Sequence, residues 1–299
     1  MKVLVTGASG MVGSTLTQQM TADGHEVVPV VRRDARSGEV QWKPSAGELA
    51  VDRLEGFDGV VHLAGENIAE GRWTEAKKAR IHDSRVDSTR LLCEKLSQTQ
   101  RPPKVLVSAS AIGFYGEAGD QPLTEDSPAG EGFLPTVCQQ WEAATAPAAS
   151  AGIRVVQLRI GVVLSVAGGA LQKMLLPFRM GAGGRVGSGR QVWSWISIDD
   201  LVGVILYALT SESLSGPVNA VAPQAVTNLE FTKTLGRVLK RPTIFPMPAF
   251  VARMALGQMA NDLLLASARV VPQKLNQSGF QYRHPDLESA LRDLLDGSK

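Results

Sequence analysis

Cysteine and long apolar runs are both scarce in this sequence. Cys93 and Cys138 are the only cysteines among 299 residues, too few to form a disulfide framework in a chain of this size. The longest strongly apolar stretch, residues 201–209, is too short to cross a bilayer. The first residues contain no apolar signal-peptide core. We therefore predict a cytoplasmic protein with two reduced thiols.

An excess of charge of one sign is also absent. Lys and Arg number 31 and Asp and Glu 29, which gives a net charge of +2, and the basic residues are scattered. Proteins that bind nucleic acids or anionic membranes usually carry a basic patch. We therefore expect neither partner, and we expect a monomer or a homodimer. Because the four histidines show no metal-ligand spacing, we expect no metal.

Short apolar runs alternate with longer amphipathic ones through the first two hundred residues. The apolar runs predict strands at 3–7, 26–31, 59–65, 104–110 and within 153–164. Helical spacing predicts helices at about 11–23, 79–97 and 137–146, with the last one ended by Pro147. Strands that alternate with helices favour an α/β fold with a Rossmann-like, doubly wound parallel sheet.

The chain changes character after residue 164. Residues 167–190 are rich in glycine, and the helical segments beyond residue 223 are interrupted by a proline-rich stretch at 245–250. We predict a nucleotide-binding domain made of residues 1–164 with 191–210. Residues 165–190 with 211–299 would then form a smaller, mainly helical C-terminal lobe on the substrate side.

Three glycines lie between the first strand and the first helix, in the stretch VLVTGASGMVGSTL. Glycine permits a tight turn, lets the backbone approach a pyrophosphate and lets the helix pack closely on the strand. The N-terminus of the helix offers unpaired N–H groups to the phosphates. A turn without a ligand is the alternative, but the strand–turn–helix context favours a dinucleotide. The predicted cofactor loop comprises Gly7, Ser9, Gly10, Met11, Val12 and Gly13.

The end of the second strand indicates which dinucleotide is bound. NAD sites usually place an acid there for the ribose 2′-hydroxyl, whereas this chain has Arg32 and Arg33. A guanidinium suits the 2′-phosphate of NADP(H), and a charge-assisted hydrogen bond contributes roughly 1.5–3 kcal/mol. The alternatives are that both arginines are solvated and that Asp34 acts as the acid. We predict NADP(H) as the cofactor.

Several longer motifs resemble one superfamily. HLAGENIAEGRW at 62–73, SASAIGFYG at 108–116, TEDSP at 124–128 and WSWISIDDLV at 193–202 are similar to segments of extended and atypical short-chain dehydrogenase/reductases, the NAD-dependent epimerase/dehydratase superfamily. The stretch GGALQKMLLPFRMGAGG and residues 263–291 resemble a narrower branch, the "epimerase family protein" group, whose function is unknown. The resemblance covers nearly the whole chain.

The resemblance implies further cofactor contacts. It implies that the backbone of Leu63, Ala64 and Gly65 lies beside the adenosine ribose and the pyrophosphate. It also implies that Arg85 reaches the cofactor and that Val163 lines the nicotinamide end.

One feature expected of the superfamily is missing. Short-chain dehydrogenases usually pass a proton through a tyrosine, and a lysine four residues later on the same helix face lowers the pKa of that tyrosine. This chain has three tyrosines and no Tyr-x-x-x-Lys, and alignment on Glu142 puts Leu134 and Cys138 at the two positions. The catalytic candidates that remain are Ser110 and Tyr115. Ser110 could instead be a strand-end hydroxyl whose hydrogen bonds are satisfied within the protein, and Tyr115 could be a half-buried aromatic residue of the pocket. Because the sequence shows no cation near Tyr115, its pKa should stay near 10.

Four other residues are candidates for the substrate pocket. Glu66 and Asn67 follow the fourth predicted strand, where doubly wound folds bind ligands, although an acid at a helix start would serve the helix dipole equally well. Arg190 could bind a phosphate or carboxylate, or it could be a surface residue. Trp195 could wall a ring pocket or belong to the core.

Two functional hypotheses remain open. The first is an NADP(H)-binding oxidoreductase or epimerase-like enzyme that acts, without the usual relay, on a small polar metabolite, either free or nucleotide-linked. The second is a non-catalytic NADP(H) sensor or partner-binding protein that has kept the cofactor fold.

Overall fold

The computed structural model describes residues 1–296, in which thirteen strands and eleven α-helices form. The strands are β1 (Lys2–Thr6), β2 (Glu26–Val31), β3 (Val40–Gln41), β4 (Gly59–His62), β5 (Val105–Ala111), β6 (Pro122–Leu123), β7 (Arg154–Ile160), β8 (Val162–Leu164), β9 (Val192–Trp193), β10 (Trp195–Ser197), β11 (Gly216–Ala220), β12 (Val226–Thr227) and β13 (Arg269–Val270). The helices are α1 (Met11–Ala22), α2 (Glu75–Asp83), α3 (Val86–Leu96), α4 (Phe133–Ala143), α5 (Ala146–Ser150), α6 (Gly169–Arg179), α7 (Ile198–Thr210), α8 (Asn228–Leu239), α9 (Ala249–Leu256), α10 (Gln273–Ser278) and α11 (Leu287–Asp296).

Seven of the strands form one sheet. Its order is β11-β7-β5-β4-β1-β2-β3, and every neighbouring pair runs parallel. The central strands are continuous apolar runs because helices cover both of their faces. On β1, for example, Val3 and Val5 pack with α1 and α7, while Leu4 packs with α3 on the opposite face. The predicted doubly wound α/β fold is confirmed.

The C-terminal region is mainly helical, as predicted. Helices α6, α8 and α11 enclose a third core around Trp195 and Phe231. Strand β13 pairs with β6, which returns the C-terminal segment to the sheet half of the molecule. Strand β11 lies at one edge of the main sheet, beside β7, although the predicted division assigned residues 211–299 to the C-terminal lobe.

Two helices differ from the predicted ones. The helix expected at 79–97 is two helices, α2 and α3, separated at Ser84 and Arg85. Ser84 Oγ accepts a hydrogen bond from the backbone N–H of Glu66 and donates one to the Ile81 carbonyl, so local side-chain bonding replaces the helix pattern there. Pro147, predicted to end a helix, lies in the first turn of α5, where its missing N–H costs nothing.

Within residues 1–296, no helix is both long and apolar enough to cross a membrane.

Candidate cofactor and substrate site

The glycine loop occupies the point where the order of the sheet reverses, between β1 and β4. Gly7 has φ +70°, and a Cβ built on it would lie 2.9 Å from the carbonyl carbon and oxygen of Leu63. A Cβ on Gly13 would collide with the Gly7 carbonyl oxygen. Only glycine therefore fits at either position, and the loop lies close to both strand ends.

The start of α1 completes a cradle for an anion. Gly10 is its N-cap, no side chain caps the helix there, and no acid lies in its first turn. The N–H of Gly10 itself donates to the Gly7 carbonyl at 2.9 Å. Ser9 and Gly10 are exposed. Free N–H groups at a helix start, next to a turn that side chains would fill, fit the pyrophosphate of a dinucleotide.

Thr6, which the sequence analysis did not single out, fixes the turn after β4. Its Oγ1 accepts hydrogen bonds from the backbone N–H groups of Leu63 and Ala64, both at 3.2 Å, and lies 2.7 Å from His62 Nδ1. Leu63 and Ala64, two of the three residues that the resemblance placed beside the ribose and pyrophosphate, are therefore held directly against β1. Thr6 reads as an ordinary strand residue, and no local pattern marks it.

The two arginines after β2 differ in their partners. Arg33 forms a two-pronged ion pair with Glu39, at 2.5 and 2.7 Å. Arg32 is exposed and forms no hydrogen bond or ion pair with any other residue of the described range. Asp34 accepts a hydrogen bond from Gln41 Nε2. Arg32 is therefore the guanidinium that remains available for a 2′-phosphate.

Met11, Val12 and Val163 lie where the loop meets the third core. All three pack against that core, and a Cβ on Gly168 would lie 3.1 Å from Met11 Sδ. Val163 is in β8 and pairs in register with Ile196 of β10. The start of α6 and the end of β8 therefore lie against the start of α1.

A cleft of about 640 Å³ opens beyond the carboxyl ends of β5 and β7. Its walls come from these strand ends, from α4, from residues 192–194 and from the C-terminal segment at 253–268. The apolar residues of the lining are Ile68, Ala109, Ala111, Ile112, Phe133, Leu134, Pro135, Val137, Trp141, Ile160, Val162, Val192, Trp193, Leu263, Leu265, Ala266 and Ala268. Ligands of doubly wound folds bind at this edge of the sheet.

The face of α4 that the alignment on Glu142 matched to the usual tyrosine and lysine positions is apolar. Leu134 and Cys138, one turn apart, both line the cleft and both lie beside Gly113. Burial, with a smaller contribution from the nearby Glu142 carboxylate, raises the pKa of the Cys138 thiol to about 12. The thiol therefore stays protonated and is a poor nucleophile.

Ser110 lies in the lining of the cleft and is bonded to a buried ion pair. Its Oγ donates to Glu142 Oε1 at 2.7 Å. Arg159 binds the same carboxylate through Nε to Oε1 and Nη2 to Oε2, both at 2.8 Å. Only 4% of the Arg159 side chain and 10% of the Glu142 side chain are exposed. The Arg159 guanidinium also lies 3.5 Å from the centroid of the Phe114 ring.

Tyr115 is not in the lining of the cleft, so it does not lie where a catalytic residue would contact a substrate bound there. It is buried, and its hydroxyl lies 2.7 Å from Asn219 Oδ1 and 2.9 Å from the Thr124 carbonyl oxygen. Arg159 Nη1 donates to it at 2.9 Å. The expectation that no cation lies nearby was wrong, because Arg159 is distant in sequence. The pKa of Tyr115 is nevertheless raised, since burial outweighs this hydrogen bond.

Arg85 lies in the cleft lining and bridges to the turn after β4. Its Nη2 donates to the Glu66 carbonyl at 3.0 Å and its Nη1 to the Ile81 carbonyl at 3.2 Å. The guanidinium lies over the Trp141 ring at 5.2 Å and within 3.4 Å of a Cβ built on Gly65. Burial lowers its pKa from the usual value. The break between α2 and α3 is what turns this side chain toward the cleft.

Glu66 and Asn67 have local partners instead of facing the cleft. The Glu66 carboxylate pairs with Lys77 at 2.7 Å and Arg80 at 3.5 Å, and the Lys77 hydrogen bond keeps its pKa low. Asn67 Oδ1 accepts from the Ala69 N–H. Neither residue is in the lining of the cleft, whereas Ile68 is.

Arg190 and Trp195 also lie outside the cleft lining. Arg190 is exposed in the glycine-rich loop, and Trp195 is buried in the third core with its Nε1 donating to the Gln224 carbonyl at 2.9 Å. Trp193 lines the cleft instead. The two tryptophans belong to different short strands that pair with different partners, a difference that a two-residue spacing does not reveal.

The C-terminal segment contributes a polar edge that the sequence analysis missed. Arg253, Gln258, Asn261 and Asp262 all line the cleft. Arg253 Nε donates to Asn261 Oδ1 at 2.8 Å, which leaves both Nη groups without a hydrogen bond in the described part of the chain. Burial raises the pKa of Asp262.

Two family models match the chain. The model of the NAD dependent epimerase/dehydratase family matches residues 3–221, and that of a domain of unknown function (DUF1731) matches residues 247–294. The second range contains the polar edge of the cleft.

Relatives match over nearly the full length. An epimerase family protein of Mycobacterium bovis is 43% identical over 290 residues, covering 97% of this chain and 96% of the relative. Human epimerase family protein SDR39U1 is 39% identical over 298 residues, covering 99% of this chain and 100% of the relative.

Two solved structures share the fold. The crystal structure of human SDR39U1 (isoform 2) with NADPH has a TM-score of 0.91 and 36% identity and covers 99% of both chains. A protein described as a nucleoside-diphosphate sugar epimerase from Corynebacterium glutamicum has a TM-score of 0.81 and 38% identity. That match covers 98% of this chain but 58% of the Corynebacterium protein.

Proposed function

The chain belongs to the NAD dependent epimerase/dehydratase family, and on that premise we propose that it is an NADP(H)-dependent oxidoreductase. It would interconvert a carbonyl and a hydroxyl group on a substrate bound in the cleft at the ends of β5 and β7. The observation that carries this proposal is the position of Ser110, a polar side chain in a mainly apolar cleft that is bonded directly to the buried Glu142 carboxylate.

The choice of NADP(H) over NAD(H) rests on Arg32. This guanidinium is exposed after β2 without a partner in the described residues, and a 2′-phosphate is the group that it would bind. The NADPH in the structure of human SDR39U1 supports the same choice. The nicotinamide supplies or accepts the hydride.

Ser110 would manage the proton in place of the tyrosine and lysine. When the substrate is an alcohol, its hydroxyl hydrogen passes to Ser110 Oγ while the Ser110 hydrogen passes to Glu142 Oε1, and reduction of a carbonyl runs the same path in reverse. Because Ser110 already donates to Glu142, its lone pairs are free to accept from the substrate. Arg159 fixes the carboxylate through both oxygens, so the acceptor is held in place.

The walls of the cleft favour a substrate with an apolar body. The sequence suggested a small polar metabolite, but most lining side chains are aliphatic or aromatic, and one group of polar side chains lies in the C-terminal segment at 253–262. An anionic group at one end, such as a carboxylate, would match the free Nη groups of Arg253.

The test is to follow the absorbance of reduced nicotinamide in the purified protein with NADPH and a panel of ketones and aldehydes. The panel contains apolar carbonyl compounds with and without a carboxylate, together with nucleoside-diphosphate sugars. Turnover should be fastest for the apolar carboxylates and lost in Ser110→Ala. The control Ser97→Ala removes an exposed hydroxyl at the end of α3 and should be active. Turnover that survives in Ser110→Ala would refute the role of Ser110.

A second candidate is a non-catalytic NADP(H) sensor, favoured by the apolar pair Leu134 and Cys138 at the relay positions. It requires that NADPH and NADP⁺ give different affinities for a protein partner. Tight NADPH binding with no turnover on any member of the panel, together with such a difference, would favour this role. Equal partner binding with both forms would exclude it.

A further inference from the structure

Large exposed apolar side chains are concentrated in one part of the surface. Seven of the nine that are exposed within residues 1–296 lie in two segments, 167–198 and 231–261. The seven are Leu176, Met180, Ile244, Phe245, Met247, Phe250 and Met254, with exposed fractions between 44% and 68%. Single exposed apolar residues are normal, but a concentration of this kind marks an interaction surface.

The two segments are neighbours in the fold. Arg241 Nε donates to the Arg179 carbonyl at 2.9 Å, and the Met247 N–H donates to the Arg185 carbonyl at 2.8 Å. Between these contacts, a Cβ on Gly184 would collide with the Phe245 carbonyl oxygen. Residues 241–247 therefore run along residues 179–187, between the end of α6 and the start of α9.

The exposed side chains are held in position by the backbone. Leu176 and Met180 are four residues apart and share one side of α6 and its C-terminal end, as Phe250 and Met254 share one side of α9. The intervening loop contains Pro242, Pro246 and Pro248, which fix φ at three positions. We call this surface, made of the seven apolar residues and the cations around them, the apolar-basic face.

The two segments that carry these apolar residues are charged with one sign only. Neither segment contains an Asp or a Glu, while the first has four Lys or Arg residues and the second has five. Of these nine, Arg237 alone forms an ion pair among the described residues, with Glu288. The eight without an ion pair are Lys173, Arg179, Arg185, Arg190, Lys233, Lys240, Arg241 and Arg253. The net charge of +2 for the whole chain conceals this local excess.

We propose that the apolar-basic face docks on an anionic phospholipid surface. The apolar side chains would enter the interface of the bilayer, and the surrounding guanidinium and ammonium groups, apart from Arg253, which lines the cleft, would face the phosphate headgroups. This is peripheral binding without a membrane-spanning helix. It departs from the expectation drawn from the scattered basic residues of the sequence.

Two features favour a lipid surface over a protein. A second copy of this chain on the same face would bring like charges together, because a two-fold interface sets the same patch against itself. Six of the seven apolar side chains are at least 60% exposed, so they project from the surface instead of lining a groove. A bilayer admits projecting side chains, whereas a protein partner would need a matching pocket for each.

The test is co-sedimentation of the full chain with vesicles of phosphatidylcholine alone and with an equimolar mixture of phosphatidylcholine and phosphatidylglycerol. We expect binding to the mixed vesicles only, with affinity that falls as salt is added. The double variants Phe250→Ser with Met254→Ser, and Arg179→Glu with Lys240→Glu, should each weaken binding at least ten-fold. A matched charge control, Arg53→Glu with Lys104→Glu, alters exposed cations elsewhere and should bind as the parent does.

Unchanged NADPH affinity in every variant would show that each one is folded. Absence of binding to the mixed vesicles, or binding that both face variants leave unchanged, would overturn the proposal. A dimer in solution that Phe250→Ser with Met254→Ser converts to a monomer, without vesicle binding, would assign the face to a second copy instead.

Discussion

Ser110 and Glu142 are joined by a 2.7 Å hydrogen bond at the edge of the cleft. The serine lies near the end of β5, the strand that the family resemblance predicted to carry it, and the carboxylate comes from α4, one turn after Cys138. The carboxylate is in turn neutralised by Arg159 from β7. The site thus places a buried anion and cation directly behind its serine.

The buried ion pair gives a stability prediction. Glu142→Gln leaves the Arg159 guanidinium buried without a counter-charge, and breaking such a pair typically costs about 3–5 kcal/mol. We expect a loss of this size in the free energy of unfolding, measured with urea. Glu288→Gln, which disrupts the exposed pair with Arg237, serves as the control and should have a much smaller effect. Equal losses in the two variants would mean that the Arg159 pair is not buried in solution.

Cofactor choice can be tested with two adjacent arginines. Arg32→Ala should weaken NADPH binding by roughly 10- to 100-fold, because it removes a charge-assisted contact to the 2′-phosphate, and should leave NADH binding nearly unchanged. Arg33→Ala should have a small effect on both cofactors, since the Arg33 guanidinium is already engaged by Glu39. The measurement is a fluorescence titration with each reduced cofactor. A larger effect from Arg33 than from Arg32 would reverse the assignment.

The glycine loop gives a steric prediction. Gly13→Ala should abolish detectable NADPH binding, because its Cβ would occupy the place of the Gly7 carbonyl oxygen and force the turn apart. At Gly10 a Cβ would lie 3.3 Å from the same oxygen, so Gly10→Ala requires a shift of only a few tenths of an ångström. Titration of both variants should show the larger loss for Gly13→Ala. Similar affinities would indicate that the loop opens to admit the cofactor.

These glycines show what could be predicted from the sequence. Their roles depend on local backbone geometry, which a short motif encodes, and the parallel sheet follows from alternating apolar runs. Arg159 could not be found this way, because it lies inside the strand RVVQLRI and its partners Glu142 and Tyr115 are brought to it only by tertiary packing. For the same reason, the sequence could not show that Tyr115 is buried outside the cleft lining, beside Arg159.

The residues that the C-terminal segment contributes to the cleft could not be predicted, for a different physical reason. Arg253 and Asn261 reach the cleft because residues 253–268 fold back over the ends of β5 and β7, and no local pattern encodes that return. The acid-free segments of the apolar-basic face, in contrast, are visible in the sequence. The net charge of the whole chain conceals these basic segments, whereas the net charge of each segment would have shown them.

Both thiols should be inert in the native protein. Cys93 and Cys138 are buried, and burial raises the pKa of each to about 12. We expect a thiol-specific disulfide reagent to modify neither residue at mildly alkaline pH, and to modify both after urea unfolding. Rapid modification of Cys138 in the folded protein, absent in Cys138→Ser, would contradict its burial and would show that this thiol can act as a nucleophile.

His62 should make the stability of the protein depend on pH. It is wholly buried between Thr6 Oγ1 and Thr89 Oγ1, at 2.7 and 2.9 Å, and burial lowers its pKa from 6.5 to about 4. Between these two values the unfolded chain binds a proton that the folded chain does not, so protonation favours unfolding. The His62 contribution is therefore fully present above pH 6.5 and is lost as the pH falls toward 4, with a total of about 3 kcal/mol.

Urea unfolding of the parent and of His62→Gln between pH 7 and pH 5 isolates this effect, because His82, whose pKa is also shifted, is the same in both proteins. The carboxylates whose pKa is lowered, such as Glu39 at about 2, titrate below that window. His62→Gln keeps a polar side chain between the two threonines but cannot take up the proton. The variant should therefore lose most of the decline in stability that the parent shows over this range. A decline of equal size in the variant would place the responsible proton on another residue and would require His62 to be accessible to water in the folded state.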